Sequence, residues 1–302
     1  MSSVSGTAVA GAVKTRFESG RSTRLWELAF KGCLISCILA SLLVLVVLLG
    51  QVFSEGVGSL SLSFLTDTPS RIDPSSSGIG PSLAGTLWLM LVCTVFIIPV
   101  GVASAIYLEE YADNDRWFNR VIEVNMQNLA AVPSIVYGVR GLAFLVRGPL
   151  SLGHVLLAGG LTLGLLVLPV LIVAGREAIR AVPPSIREGS MALGATKWQT
   201  IWKQVLPAAL PGIATGAILS LSRAIGETAP LIVIGAATFA TASPTGIFDD
   251  VTALPIQIFS WISEPQEEYK TLAAAGIIVL MVILLAMNAV AVWLRNRYEK
   301  KW

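Results

Sequence analysis

The sequence predicts an all-α membrane protein of six transmembrane helices with both termini on the cytoplasmic side, on three observations. Of 302 residues, 54% are hydrophobic and only 13% are charged, about half the roughly 25% charge of a soluble domain. Four stretches, Gly32 to Ser54, Pro74 to Leu108, Gly148 to Gly175 and Thr271 to Leu294, hold no Asp, Glu, Lys or Arg, and each exceeds the about 20 residues that cross a hydrocarbon core. The basic residues also fall unevenly: with the N-terminus inside, sixteen of the 21 Lys and Arg lie on inner segments, against Arg71, Arg147 and Lys270 outside. Positive residues near spans are retained in the cytoplasm.

In chain order, residues 1–31 are Ser, Gly and Ala with basic residues, and lack the apolar core of a secretory signal; they read as a flexible cytoplasmic tail before a permease domain over 32–302. The first span is expected at about Gly32 to Phe53, followed by a Ser-rich loop with Pro69 and Pro74. A second covers Ser82 to Leu108 and closes on the charged stretch Glu109 to Arg120. The third runs from near Val124 to near Val146 and carries Pro133 and Arg140; the fourth is Leu152 to Ala174. A fifth occupies about Leu210 to Ala237, with Arg223 and Glu227 inside it, and the sixth is Leu272 to Leu294. Glycines in the fourth and fifth (Gly159, Gly160, Gly164; Gly212, Gly216, Gly226) suit close helix packing. Pro99, Pro133, Pro169 and Pro230 are candidate kinks. An outer apolar piece, Leu254 to Ile262, is too short to span and is expected to dip partly into the membrane. Cys33, Cys37 and Cys93 read as small apolar residues.

The chain has no G-x-x-x-x-G-K-[ST] phosphate cradle. At the nearest spacing, Gly189 to Gly194, Ala195 and Thr196 stand where Lys and Ser or Thr are needed. Any ATP-driven step must use another chain, so no cofactor is expected here and ATP-Mg belongs to a partner. The inner segment of about 183–211 is nevertheless patterned. Pro183 and Pro184 stop the preceding helix, Ser185 with Glu188 and Thr196 with Gln199 are two capping-box signatures, and Gly194 permits a turn between them. The second short helix carries Trp198, Ile201, Trp202, Val205 and Leu206 and is expected to end at Pro207 and Pro211. Such a hairpin fits a lipid-surface anchor and a protein-docking site equally well.

Glu188-Gly-Ser-Met-Ala-Leu-Gly194, nine further residues, and then Gln204-Val-Leu206-Pro207 resemble the EAA loop of ABC importer permeases. Glu188, Gly194, Leu206 and Pro207 match it, while Gly189, Ser190 and Gln204 depart from it. Ala131-Val-Pro-Ser-Ile-Val-Tyr-Gly138, Ala224-Ile-Gly-Glu-Thr-Ala-Pro-Leu231, Thr252-Ala-Leu-Pro-Ile-Gln257 and a basic, Trp-terminated C-terminus narrow the resemblance to PstA-type permeases of phosphate importers. Arg140 is a departure, since similar permeases carry an apolar residue there. The resemblance implies a type I ABC importer permease fold in the inner membrane, alternating access, and inward phosphate transport. It also implies a second, PstC-type permease, two ATPase subunits and a periplasmic or extracellular phosphate-binding protein. Glu188, Gly194, Thr196, Leu206 and Pro207 would couple to the ATPase. Membrane lipid is a further partner, and nothing points to nucleic acid.

Two charges remain in the fifth span. An ionisable group at mid-bilayer costs about 2.5 to 3.5 kcal/mol on insertion scales. Arg223 and Glu227 are four apart and share a helix face. Either they neutralise each other and pin the helix, or their face lines the phosphate path, where Arg offers a fork of donors matched to phosphate oxygens and Glu227 competes for them. Arg140 is open to snorkelling or an inter-subunit pair, and to attracting phosphate at the outer mouth. His154 reads as an interfacial polar residue. An ion-coupled carrier would need more midplane acids than Glu227, an intramembrane enzyme more than one His, and phosphate is not separated from another oxyanion such as arsenate.

Overall fold

The computed structural model describes residues 21–70, 72–113, 116–236, 240 and 242–298. It is all-helical among these residues apart from one isolated bridge, Val155 to Asp250. The helices are α1 (Arg21–Gly56), α2 (Leu62–Thr66), α3 (Gly80–Ile106), α4 (Trp117–Ala130), α5 (Ser134–Gly141), α6 (Leu156–Arg180), α7 (Pro184–Ala192), α8 (Lys197–Thr200), α9 (Leu206–Ile225), α10 (Ala229–Val233), α11 (Leu254–Ile262) and α12 (Glu267–Tyr298). Three π turns extend them: Tyr107–Tyr111 after α3, Leu142–Val146 after α5, and Ile201–Val205 between α8 and α9.

The chain divides into two compact units, Met1–Gln51 and Val52–Trp302. The first holds most of α1, whose Leu34, Ile38, Leu42 and Val46 are all exposed. A helix apolar on every side needs lipid or another protein around it rather than water. The tail expected over 1–31 is shorter than that, because α1 is already helical at Arg21; residues 1–20 lie outside the described residues, as does the chain end beyond 298.

In the second unit α3, α6 and α9 form the packed centre. In lipid no hydrophobic force drives helices together, so association depends on close van der Waals contact at small residues. At Gly160 on α6 an added Cβ would stand 2.6 Å from Val92 of α3, and at Gly216 on α9 one would stand 2.6 Å from the Ala174 Cβ of α6. Around these approaches lie buried Leu89, Ile97, Leu163, Val167, Leu171 and Leu231. At one end α11 packs against α12, with Trp261 tilted against Phe64 of α2 at 6.1 Å. The apolar piece 254–262 therefore serves a protein core, with Leu254, Ile256 and Trp261 buried.

Among the described residues five helices are long and apolar enough to cross a membrane, six if one bent pair is counted as a single span. Two expected spans are corrected. The third is broken: α4 and α5, with its π turn, meet at 106°. Pro133 is the cause, since its extended backbone (φ −55°, ψ 137°) and missing N–H interrupt the helix. The fifth stops at Ile225; Gly226, Glu227 and Thr228 separate α9 from α10, whose first turn holds Pro230. Glu227 is thus beside the helix and not within it, Gly226 makes no close helix contact, and the expected end at Ala237 lies outside the described residues. Pro99 and Pro169, by contrast, sit inside unbroken α3 and α6.

The inner hairpin also departs from expectation. Pro207 and Pro211 do not end its second helix, which runs on from Lys197 to Ile225 as one span. The π turn at Ile201–Val205 supplies the wider turn that accommodates a proline ring just after it.

Candidate functional site: a broken-helix charge pair and an exposed hairpin

The first group of candidate residues lies where the two broken spans cross. Gly138 of α5 sits on Pro230 of α10, so close that a Cβ there would be 2.7 Å from Pro230 Cα and 2.9 Å from its carbonyl oxygen. Just before α10, Arg223 Nε donates to Glu227 Oε1 at 3.4 Å. Past Ile225 the chain makes one tightened turn, with Gly226 N bonded to the Arg223 carbonyl at 3.3 Å and Glu227 N to that of Ala224 at 3.2 Å, so the expected pair forms although the helix does not continue. The contact is long, and the side chains are 42% and 19% exposed. The terminal nitrogens of Arg223 make no hydrogen bond among the described residues. Ala224 and Ile225 next to the pair pack against Leu89 and Leu163, which fixes its depth along α3 and α6.

Tyr137 of α5 joins this region. Its hydroxyl donates to the carbonyl of Leu129 on α4 at 2.9 Å, bridging the bend at Pro133. Arg140 is exposed on α5 and makes neither an ion pair nor a hydrogen bond among the described residues. The structure therefore joins Arg223 to Glu227 directly and leaves Arg140 apart from them, one turn beyond Tyr137 on α5. Tyr137 was not singled out from sequence; its place four residues after Pro133 was the available signal. His154 lies apart, its Nδ1 2.5 Å from the Ile234 carbonyl beyond α10.

The second group forms the hairpin at the far end of α6 and α9. Gly194 turns the chain between α7 and α8 at φ +85°, in the left-handed region that glycine enters without steric cost. Thr196 and Gln199 form the expected capping box: Thr196 Oγ1 accepts from Gln199 N at 3.3 Å, and Thr196 N donates to Gln199 Oε1 at 2.9 Å. The other signature is not realised. α7 begins at Pro184 with Pro183 as its cap and no side-chain cap bond, because proline preset for a helical first turn starts the helix ahead of Ser185. Glu188 is consequently free of capping and is exposed, as are Gly194 and Thr196, while Leu206 and Pro207 are half-buried. Ser190 Oγ and Thr200 Oγ1, 2.9 Å apart, hold α7 to α8. Apolar side chains face outward around the turn: Leu193 is 91% exposed, beside Met191, Trp198 and Trp202.

A group of charges missed from sequence anchors this end. Glu109 accepts from Arg180 at 2.9 and 3.0 Å and lies 3.4 Å from Arg176. Arg176 donates to Glu123 of α4 at 3.0 Å. Glu109 was legible only as the start of the charged stretch after the second span and Arg176 and Arg180 only as basic residues after the fourth, so their pairing was not.

The chain matches the family model described as "Binding-protein-dependent transport system inner membrane component" over residues 97–300. It is 31% identical to the probable ABC transporter permease protein YqgI of Bacillus subtilis (strain 168) over 270 residues, 85% of this chain and 91% of that protein. It is 30% identical to the phosphate transport system permease protein PstA of Yersinia pestis over 286 residues, 92% of this chain and 94% of that protein. Its fold is similar to a chain of the bacterial alginate ABC transporter crystallised with an alginate pentasaccharide-bound periplasmic protein: TM-score 0.63 at 15% identity, covering 92% of this chain and 99% of that one. A chain of the inward-facing MetNI methionine ABC transporter gives 0.57 at 19% identity, over 74% and 95%. A broken pair of spans, an exposed hairpin at one end and these matches have one reading: the chain belongs to the binding-protein-dependent inner membrane permeases of ABC importers, with the type I permease fold and PstA-type permeases among its relatives.

Proposed function

We propose that this permease carries inorganic phosphate inward by alternating access, in a complex with a second, PstC-type permease, two ATPase subunits that use ATP-Mg, and an external phosphate-binding protein. Both termini then face the cytoplasm, as the uneven distribution of Lys and Arg requires. Support for phosphate comes from relatives named as phosphate transport permeases, including PstA 1 of Mycobacterium tuberculosis (strain ATCC 25618 / H37Rv), 33% identical over 221 residues.

The observation that carries the reading is the loose Arg223–Glu227 pair at the break after α9. A buried structural pair is closed and fully hydrogen-bonded; this one leaves guanidinium donors available on the surface of the chain, where a second permease would complete a path. A fixed cation offsets part of an oxyanion's desolvation, and the competing carboxylate keeps the anion from being trapped. Arg140, on the neighbouring broken span, extends the positive field toward the same region. Glu188, Gly194, Thr196, Leu206 and Pro207 present the hairpin to the ATPase.

In the reconstituted complex, Arg223→Gln is expected to abolish uptake of labelled phosphate while the subunits still copurify. Retained uptake makes the pair structural and refutes the path. Competition by sulfate, molybdate and arsenate against labelled phosphate tests the substrate, and stronger inhibition by sulfate or molybdate than by unlabelled phosphate refutes phosphate.

A further inference from the structure

The hairpin is not held by its own two helices alone. α3 ends in the π turn Tyr107–Tyr111, and one residue of that turn, Glu110, contacts both arms. Its carboxylate Oε1 accepts from Arg187 Nε at 2.9 Å and from Arg187 Nη2 at 2.8 Å, which ties down α7. Its backbone carbonyl accepts from the ammonium of Lys197, the first residue of α8, and that ammonium also lies 4.9 Å over the Tyr111 ring. Arg187 uses two further donors at the end of α6 and just beyond it: Nη2 bonds the Ile179 carbonyl at 2.8 Å and Nη1 the Val182 carbonyl at 2.6 Å. Both partners are largely withdrawn from water, Glu110 at 9% and Arg187 at 20% side-chain exposure. Charges so enclosed hold their geometry because each leaves the other unsatisfied on separation.

We propose that Glu110 and Arg187 are positioning residues that form an ionic latch, through which displacement of the hairpin is delivered to α3 and α6 as well as to α9. The need for a latch follows from the connections. α9 continues from the hairpin without interruption and moves with it in any case. α7 is joined to α6 only through residues 181–183, ending in the extended backbone of Pro183, and α3 has no chain connection to the hairpin at all. Apolar packing already joins the end of α3 to α6 and α9, but the latch is the charged contact that ties α7 and the start of α8 to α3; without it α7 shifts about residues 181–183 and less of a push on the hairpin reaches α3. With it, the hairpin and the ends of α3 and α6 form one rigid body, and the neighbouring Glu109–Arg180 and Glu123–Arg176 pairs extend that body to α4. Coupling between distant sites requires a rigid connection of this kind, with different contacts in the two end states.

The inference rests on the proposed docking of the hairpin to an ATPase, and the test separates the two. In proteoliposomes of the full complex, with external binding protein and ATP inside, phosphate uptake and ATP hydrolysis are measured together for Glu110→Gln and for Arg187→Lys, which keeps the charge but loses the fork. Expected is a fall of about tenfold in phosphate moved per ATP hydrolysed, within the usual range of coupling between sites, with hydrolysis and subunit copurification retained. Glu110→Asp should recover part of the ratio. An unchanged ratio overturns the latch, as does loss of copurification in both variants, which would make the pair an element of assembly. In parallel, Thr196→Cys in the otherwise unaltered complex is crosslinked to the ATPase. Absence of that crosslink overturns the docking reading itself, whereas its presence with an unchanged ratio overturns the latch alone.

Discussion

Two of the molecule's arginine–glutamate pairs are held differently. At the hairpin end, Arg187 meets Glu110 at 2.8 and 2.9 Å and bonds the carbonyls of Ile179 in α6 and of Val182 just past it. At the helix break, Arg223 meets Glu227 by one long contact of 3.4 Å and is 42% exposed. The first guanidinium is satisfied within its own chain, and the second keeps donors in reserve. The contrast matches the two proposed roles, a latch for the closed pair and an anion path for the open one, because exchange needs a partner that is held weakly enough to be displaced.

Four further variants sharpen or break that contrast, from the largest effect to the smallest. The double change Glu188→Ala, Gly194→Val should abolish uptake and remove ATPase from the purified complex, since valine cannot follow φ +85° at the turn; a complex that still copurifies and transports would mean that the hairpin does not dock. Gly138→Ala should come next, because its methyl would meet backbone of Pro230 at 2.7 Å. Overpacking of this kind costs about 1–3 kcal/mol and separates the crossed breaks, so both uptake and thermal stability should fall; an unchanged melting temperature would show that α5 and α10 have room. Thr196→Ala removes the capping box and is expected to lower stability by about 1 kcal/mol, read from thermal unfolding, with uptake reduced only in proportion.

The smallest effect concerns Asp249, at the other end of the unit. Its carboxylate accepts from Thr245 N at 2.6 Å, Gly246 N at 3.0 Å and Thr245 Oγ1 at 3.1 Å. The bond from the Thr245 backbone, followed by that from Gly246, holds it below its ordinary value of 3.8. A carboxyl lowered in the folded state contributes stability above its ordinary value and loses it as pH falls through the lowered one. The 245–249 turn should therefore loosen only below about pH 4, whereas Asp249→Asn should loosen it at neutral pH and remove that acid dependence. Faster proteolysis of the turn is the readout, and identical pH profiles for both proteins would refute the assignment.

Most of the architecture was legible because apolar runs bounded by charge have one reading in a membrane chain. Four spans lie within a few residues of the expected starts at Gly32, Ser82, Leu152 and Leu272, whereas the fifth starts at Lys197 and not at Leu210, and helices extend past the expected ends into polar residues such as Arg180 and Glu267. Hydropathy was blind to the breaks. Val124 to Val146 reads as one run because a 106° bend at Pro133 changes direction without changing composition, and proline kinks and proline breaks look alike in sequence when Pro99 and Pro169 are tolerated within helices. The Arg223–Glu227 pair was legible from spacing, and it holds because the tightened turn, Gly226 N to the Arg223 carbonyl and Glu227 N to the Ala224 carbonyl, keeps the two residues about one turn apart after α9 has ended. Glu110 with Arg187 was not legible, as the two are separated by 77 positions and only the π turn after α3 aims the carboxylate at the hairpin.

The stretch from Lys197 to Ile225 is a single helical span of 29 residues, a shaft of about 44 Å at 1.5 Å per residue. One tip carries the exposed turn at Gly194 and the other carries Arg223. In the proposed complex the docking hairpin and the guanidinium of Arg223 are therefore joined along one run of helix, and displacement of the one reaches the other through a single stretch of backbone.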